Sequence, residues 1–270
     1  MELTHGDFSS LAAEYAANRP GYSPEVRDAI LGLMSTSNES DFVDVGAGTG
    51  IWTRMLAPHA KTTIAIEPNN DMQKWGIGDN SQLQILWQFG HAEHTGLPDE
   101  SADLICMASA LHWADFNKAT AEFNRVLRPG GRFCALWNTR QIDANPLLIE
   151  IEATLAAMVP DLDRVSTGRS EFCNKLSARL SDCAIFEIPI YLEGIHVESM
   201  SPERYLGIWR SVNDVRVQAG EKRFQKFLRF VQQKTKGLRH IEATYQTRAW
   251  CTRVTKTHSP AKVQMSDQGV

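Results

Sequence analysis

The chain has 270 residues, 43% of them hydrophobic, and a formal net charge of −4. That length and apolar content can bury a full core, as one large domain or a domain with a sub-domain. The mild acidity carries no nucleic-acid signature, and no apolar run is long enough to span a membrane.

The five cysteines are scattered, odd in number and without a Cys-x-x-Cys pair. They point to free thiols in a reducing compartment and to no metal site. The opening MELTHGDFSS has no apolar core like that of a signal peptide, so the cytoplasm is the expected location. Charge is uneven along the chain. Residues 1–100 carry 5 Lys/Arg against 14 Asp/Glu, whereas Arg204 to Lys256 carries 13 against 3. The basic stretch is either a solvated helix face or a wall that attracts an anionic acceptor.

Residues 7–34 read as two helices, the second opening at Ser23 with Pro24 in its first turn. An alternation then begins: strand 41–45, helix 50–57, strand 62–67, helix 71–77 and strand 83–89. Strand 103–108, helix 117–127 and strand 131–137 follow. Alternating strands and helices predict a parallel sheet with helices on both faces, a doubly wound α/β fold. After Asn138 the pattern changes to helices 146–158 and 171–180, strand 184–191, helices from 202 to about 216 and over 221–236, and a last strand 241–255. The segments 139–182 and 199–238 are expected to cover the carboxyl edge of the sheet as a lid. The predicted organisation is a helical cap over 1–40, a binding core over 41–138, a lid with completing strands over 139–256, and a disordered tail over 257–270.

The most informative run is Asp44-Val45-Gly46-Ala47-Gly48-Thr49-Gly50, at the carboxyl end of the first strand and the start of a helix. Open α/β sheets bind ligands there, and glycines let the backbone approach closely. Glu67 ends the second strand, about 20 positions on, where an acid accepts the hydroxyls of a ribose. A nucleoside-containing cofactor is therefore expected. The glycines stand at every second position, and Ile51 occupies the place of the third small residue of a dinucleotide fingerprint. That spacing disfavours a nicotinamide cofactor, and the missing Gly-Lys-Ser/Thr excludes a phosphate loop.

The run resembles motif I of class I S-adenosyl-L-methionine-dependent methyltransferases. Further blocks match the same family: His91-Ala92-Glu93, Ala108-Ser109-Ala110-Leu111-His112-Trp113, and Arg125-Val126-Leu127-Arg128-Pro129-Gly130-Gly131. Together they resemble a type 11 methyltransferase domain over residues 40–138, which implies a Rossmann-like, mostly parallel seven-stranded sheet. The resemblance implies that Asp44, Gly46, Ala47, Gly48 and Gly50 hold the methionine part of the donor, that Glu67 and Pro68 hold the ribose, and that Ala108 borders the site. The family's Asp-Ala-Glu block contacts adenine. His91 replaces its acid here, so that contact falls to the Ala92 backbone or Glu93. Phe8, Tyr15, Arg19-Pro20, Tyr22, Leu111-His112-Trp113 and the helix from Tyr205 to Asn213 are similar to a small-molecule subgroup that includes trans-aconitate-type carboxyl methyltransferases.

These residues imply roles that each have a structural competitor. His112 is the candidate base, or a packed histidine. Tyr15 closes over the donor and orients the acceptor, or anchors its helix. Arg19 holds the donor carboxylate, or pairs with Glu14. Trp113 is a pocket wall or core. Trp209 and Arg210 line the lid side, Arg210 anchoring an acidic acceptor, or are ordinary helix residues. The expected activity is methyl transfer to an oxygen or nitrogen of a small-molecule acceptor, giving S-adenosylhomocysteine. The rival readings are an RNA methyltransferase guided by the basic half and a donor-binding partner protein without catalysis. Sequence leaves acceptor and oligomeric state open.

Overall fold

The computed structural model describes residues 11–34, 37–79, 82–164 and 168–256. The tail expected to be disordered, 257–270, and Phe8 lie outside the described residues. Seven strands form one sheet in the order β3-β2-β1-β4-β5-β7-β6. They are β1 Asp41–Val45, β2 Thr62–Ile66, β3 Ile85–Gln88, β4 Ala102–Ala108, β5 Leu127–Arg140, β6 Ile190–Met200 and β7 Ile241–Arg253. β1 to β5 pair in parallel, and β7 runs antiparallel between β5 and β6. This is the doubly wound sheet expected from the alternation and the Rossmann-like, seven-stranded one implied by the resemblance, and its order reverses beside β1. A crevice forms at that switch point, outside the carboxyl ends of β1 and β4.

The helices are α1 Ala12–Asn18, α2 Pro24–Gly32, α3 Ile51–Leu56, α4 Asn70–Asp79, α5 Phe116–Val126, α6 Pro146–Met158, α7 Glu171–Ser181, α8 Pro202–Arg210 and α9 Asn213–Thr235. Their starts follow local chemistry. The Ser23 side chain accepts from the Val26 amide ahead of Pro24, and Asp115 accepts from the Asn117 and Lys118 amides. Each cap satisfies backbone donors that the first turn leaves open. At the amino ends of the strands, Arg128 ties Asp41 of β1 to Asp103 of β4 at 2.8 and 2.6 Å. Cys106, Cys134 and Cys251 lie side by side across β4, β5 and β7, buried and free, as small apolar fillers.

Three elements differ from expectation. The sixth strand is Ile190–Met200 rather than 184–191, because Pro189 cannot donate to a ladder and only an isolated bridge, Phe186 to Val254, forms before it. The helix from Pro202 ends at Arg210 rather than near 216, and a further helical stretch from Asn213 is broken at Gly220, with φ +70°, before the expected last helix. Finally, α7 does not contribute to a lid: Leu176 and Leu180 pack beside Phe133 and Trp250 against the sheet. The separate cluster over the carboxyl end comes from α6, α8 and α9, around Leu148, Trp209 and Phe227.

Candidate functional site

The turn after β1 is held by its own backbone. Gly46 and Ala47 amides donate to the Ile66 carbonyl at 2.8 and 3.0 Å, and the Gly50 amide donates to the Ala47 carbonyl at 2.8 Å. Gly46 and Gly48 adopt φ of +70° and +60°, the left-handed region that favours glycine. A Cβ on Gly46 would stand 2.7 Å from that of Ala110, so a side chain would close the gap between the turn and the β4 loop. Gly50, at φ +81°, caps α3.

The Glu67 carboxylate reaches back across this turn. Its Oε2 accepts from the Gly48 amide at 2.7 Å and its Oε1 from the Asn69 amide at 2.8 Å. Burial pushes its pKa up, while the two amides favour the charged form. Each oxygen keeps a second lone pair for a ligand hydroxyl. Asn69, which sequence reasoning missed, also caps α4 by accepting from the Asp71 and Met72 amides. An Asn directly before a helical run was the available signal.

A cavity of about 390 Å³ opens beside the turn. That lies within the usual range for small-molecule sites. Gly46, Ala47 and Gly48 line it with Glu67 and Pro68; His91, Ala92 and Glu93 also border it, and Ala108 and Trp113 come from the β4 loop. Tyr15 of α1 is on the wall as well. The His91 and His94 backbones exchange hydrogen bonds at 3.1 Å, and Glu93 Oε1 accepts from the Asp115 amide at 2.7 Å, which fixes this loop. Tyr22 and Ser109 join the lining although neither was singled out as a site residue.

Other expected residues do not reach the cavity. Asp44 lies behind the turn, fully buried, and accepts from Thr53 Oγ1 at 2.6 Å. Burial and the nearby Glu67 charge push its pKa up to about 7. The His112 ring packs against Trp113, Trp137 and Phe172, at centroid distances of 4.6, 6.0 and 6.4 Å. Burial lowers its pKa to about 4, and neither ring nitrogen has a hydrogen-bond partner among the described residues. The ring thus packs among aromatic side chains and is not part of the cavity lining. The Arg19 guanidinium straps the end of α1 to the end of α8, donating to Ser211 Oγ at 2.8 Å and to the Ser211 carbonyl at 3.0 Å. Trp209 is fully buried, edge-on to Phe227 and beneath Arg140. Arg210 points to a second groove between α1, α8 and α9, where it pairs with Glu14 at 3.6 Å. The apolar periodicity of α8 explains Trp209: its indole satisfies the lid core. No helix among the described residues is long and apolar enough to cross a membrane.

Comparison with known proteins agrees with this geometry. Residues 43–135 match a family profile described as a methyltransferase domain. An uncharacterized methyltransferase of Mycobacterium tuberculosis, Rv3342, is 36% identical over 133 residues, 49% of this chain and 52% of that protein. The malonyl-[acyl-carrier protein] O-methyltransferase of Hahella chejuensis is 29% identical over 74% of this chain and 76% of its own. The chain spans about half the length of the curated relatives it matches at higher identity. A solved protein of Anaeromyxobacter dehalogenans, provisionally described as a type II methyltransferase, shares the fold with a TM-score of 0.65. Its identity is 20%, over 87% of this chain and 97% of that one. Residues 43–135 of this chain therefore match a methyltransferase domain, on a sheet with the fold of a solved methyltransferase.

Proposed function

We propose that this chain transfers a methyl group from S-adenosyl-L-methionine to an oxygen or nitrogen of a small-molecule acceptor, releasing S-adenosylhomocysteine. The observation that carries the reading is the Glu67 carboxylate bound to the Gly48 amide on the wall of the cavity. In this reading Glu67 holds the ribose hydroxyls through its remaining lone pairs. Gly46, Ala47 and Gly48 line the cavity where the methionine part lies, and a Cβ on Gly46 would close its gap to Ala110. His91, Ala92 and Glu93 border the adenine. The cavity combines apolar walls with a carboxylate at one side, which suits a cation with an apolar body.

The sulfonium supplies the leaving group and so the driving force. The chain's residues have to align the acceptor and keep water out, and alignment alone lowers such barriers by about 7–11 kcal/mol. Tyr15 on α1 and Trp113 after β4 border the acceptor side. The Arg19 strap to Ser211 holds α1, and with it Tyr15, against the lid. Asp44 buttresses the turn from behind, and Trp209 and Arg140 support the lid from within. With His112 packed away, an acceptor that is already a nucleophile, such as a carboxylate, fits better than one that must lose a proton. The Hahella relative, named as a malonyl-[acyl-carrier protein] O-methyltransferase, supports an oxygen.

Calorimetry with S-adenosylmethionine and a reduced nicotinamide dinucleotide side by side tests the cofactor, and labelled methyl transfer to small acids and amines tests the reaction. Binding of the methyl donor alone, with labelled product, is expected. Binding of the dinucleotide alone would overturn the reading, and donor binding without any product would favour a partner protein.

A further inference from the structure

Arg210 stands at a second cavity, of about 290 Å³, enclosed by α1, α8 and α9. Leu11, Leu206, Phe224 and Leu228, all buried side chains, form its apolar floor. Arg210, Arg216 and Arg229 supply cations around it. Apolar walls with a few convergent polar groups are the makeup of a small-molecule site, and this volume is at the small end of their range. The groove shares no lining residue with the cavity beside the glycine turn.

The charges in the groove do not cancel. Glu14 Oε1 lies 3.6 Å from Arg210, and Glu221 Oε2 lies 3.2 Å from Arg216. Glu14 Oε2 already accepts from Asn18 Nδ2 at 2.9 Å. Arg229, exposed on α9, has no hydrogen-bond or ion-pair partner among the described residues. From Lys222 to Arg239 the sequence holds no acid, so the field of this helix at the groove is positive. A guanidinium fork matches a carboxylate or phosphate with two parallel hydrogen bonds. The basic stretch of the sequence thus ends in a hollow where a charged head meets an apolar floor.

Helix α1 is a wall of both cavities. Leu11 and Glu14 border the groove, whereas Tyr15 borders the cavity beside Glu67. The helix has 7 residues and no side-chain cap at its start, too short to be stable by itself. Contacts with α8 hold it: the Arg19 strap to Ser211, and Arg204 Nε donating to the Asn18 carbonyl at 3.3 Å. A molecule seated on Leu11 and on α8 and α9 adds to those contacts and fixes Tyr15.

We infer that this groove binds a small organic anion with an apolar body, and that the bound anion holds α1 in place for the methyl donor. The head lies on Arg229 and Arg216, and the body on the leucines and Phe224. This ligand is distinct from the acceptor, because the two cavities share no residue and α1 divides them. Its effect on the donor rests on the methyl-transfer reading; its binding does not. By linkage, donor and anion raise each other's affinity by the same factor.

Calorimetry on the full chain compares octanoate, octyl phosphate, octanol and octylamine. The anions are expected to bind, and the alcohol and amine to bind about tenfold more weakly or worse, the scale of a charge-assisted hydrogen bond. The preferred anion tells a carboxylate head from a phosphate. Arg229→Gln, an exposed change, is expected to weaken octanoate by about tenfold, and Gln232→Trp, which fills the groove, to abolish its binding. Saturating octanoate is expected to raise donor affinity by about fivefold or more, the lower end of coupling between sites. Arg229→Gln is expected to lose that gain and to keep the donor affinity measured without octanoate. Octanoate binding that both variants leave intact overturns the inference. So does an alcohol or amine that binds as tightly as the anions, and so does a donor affinity that octanoate does not move. A chain that sediments as a dimer, which Arg229→Gln dissociates, gives the groove to a second copy and overturns it as well. A chain that binds octanoate through Arg229 but binds no donor fails the methyl-transfer reading and leaves the anion site standing.

Discussion

The Gly48 amide and the Glu67 carboxylate, 19 positions apart, are joined by a 2.7 Å hydrogen bond that couples the turn after β1 to the end of β2. The carboxylate is thereby oriented before any ligand arrives, and preorganisation of this kind lowers the cost of binding. Glu67→Gln keeps the shape and removes the charge. Donor affinity is expected to fall by about tenfold or more, the scale of a charge-assisted hydrogen bond. Unchanged affinity by calorimetry would show that the carboxylate faces no ligand.

Gly48 tests the turn from the other side. Its φ of +60° strains any β-branched side chain by about 1–2 kcal/mol, and the added atoms occupy the cavity wall. Gly48→Val is expected to abolish donor binding while the chain still melts cooperatively at a somewhat lower Tm. Full donor affinity in that variant would contradict the placement of the cofactor.

The glycine turn, the place of Glu67 at the end of β2 and the existence of the first five strands were legible in sequence because local rules write them. Glycines mark positive φ, apolar runs mark buried strands, and the acid follows at fixed spacing. His112, Trp209 and Arg210 were not legible in the same way, because which way a loop or helix side chain faces is decided by its tertiary neighbours. The His112 ring found Trp137 and Phe172, and Trp209 found Phe227. Pro189 was a local signal that should have moved β6 to Ile190–Met200. The hydrogen bond between the Tyr22 and Ser109 hydroxyls on the cavity wall was invisible because it spans 87 positions.

Asp44 gives a pH dependence whose sign follows from its burial. Its pKa is pushed up from 3.8 to about 7 in the folded chain. Between those values the folded form keeps a proton that the unfolded form has lost. Its contribution to stability is therefore present below about 3.8 and is lost as pH rises through about 7. Asp44→Asn still accepts from Thr53 and cannot ionise. Its Tm is expected to exceed that of the unaltered chain at pH values above the window and to change less across it. Parallel pH profiles for the two chains would show that Asp44 ionises freely in the fold.

His112 gives the opposite slope. Burial lowers its pKa from 6.5 to about 4, so its contribution is present above 6.5 and is lost as pH falls toward 4. Its nitrogens have no hydrogen-bond partner among the described residues, so His112→Phe keeps the ring contacts and removes a buried polar cost. The variant is expected to resist acid better in thermal melts over that range and to bind donor normally. A loss of turnover of about a hundredfold or more, the scale of a missing general base, would return the imidazole to the mechanism.

The central claim is most directly tested by a crystal structure of the full chain with S-adenosylhomocysteine. The account predicts both ribose hydroxyls within hydrogen-bonding distance of the Glu67 carboxylate, about 2.6–3.2 Å, with the homocysteine part against Gly46 and Gly48. A ligand bound elsewhere, or a ribose that leaves Glu67 untouched, would contradict it.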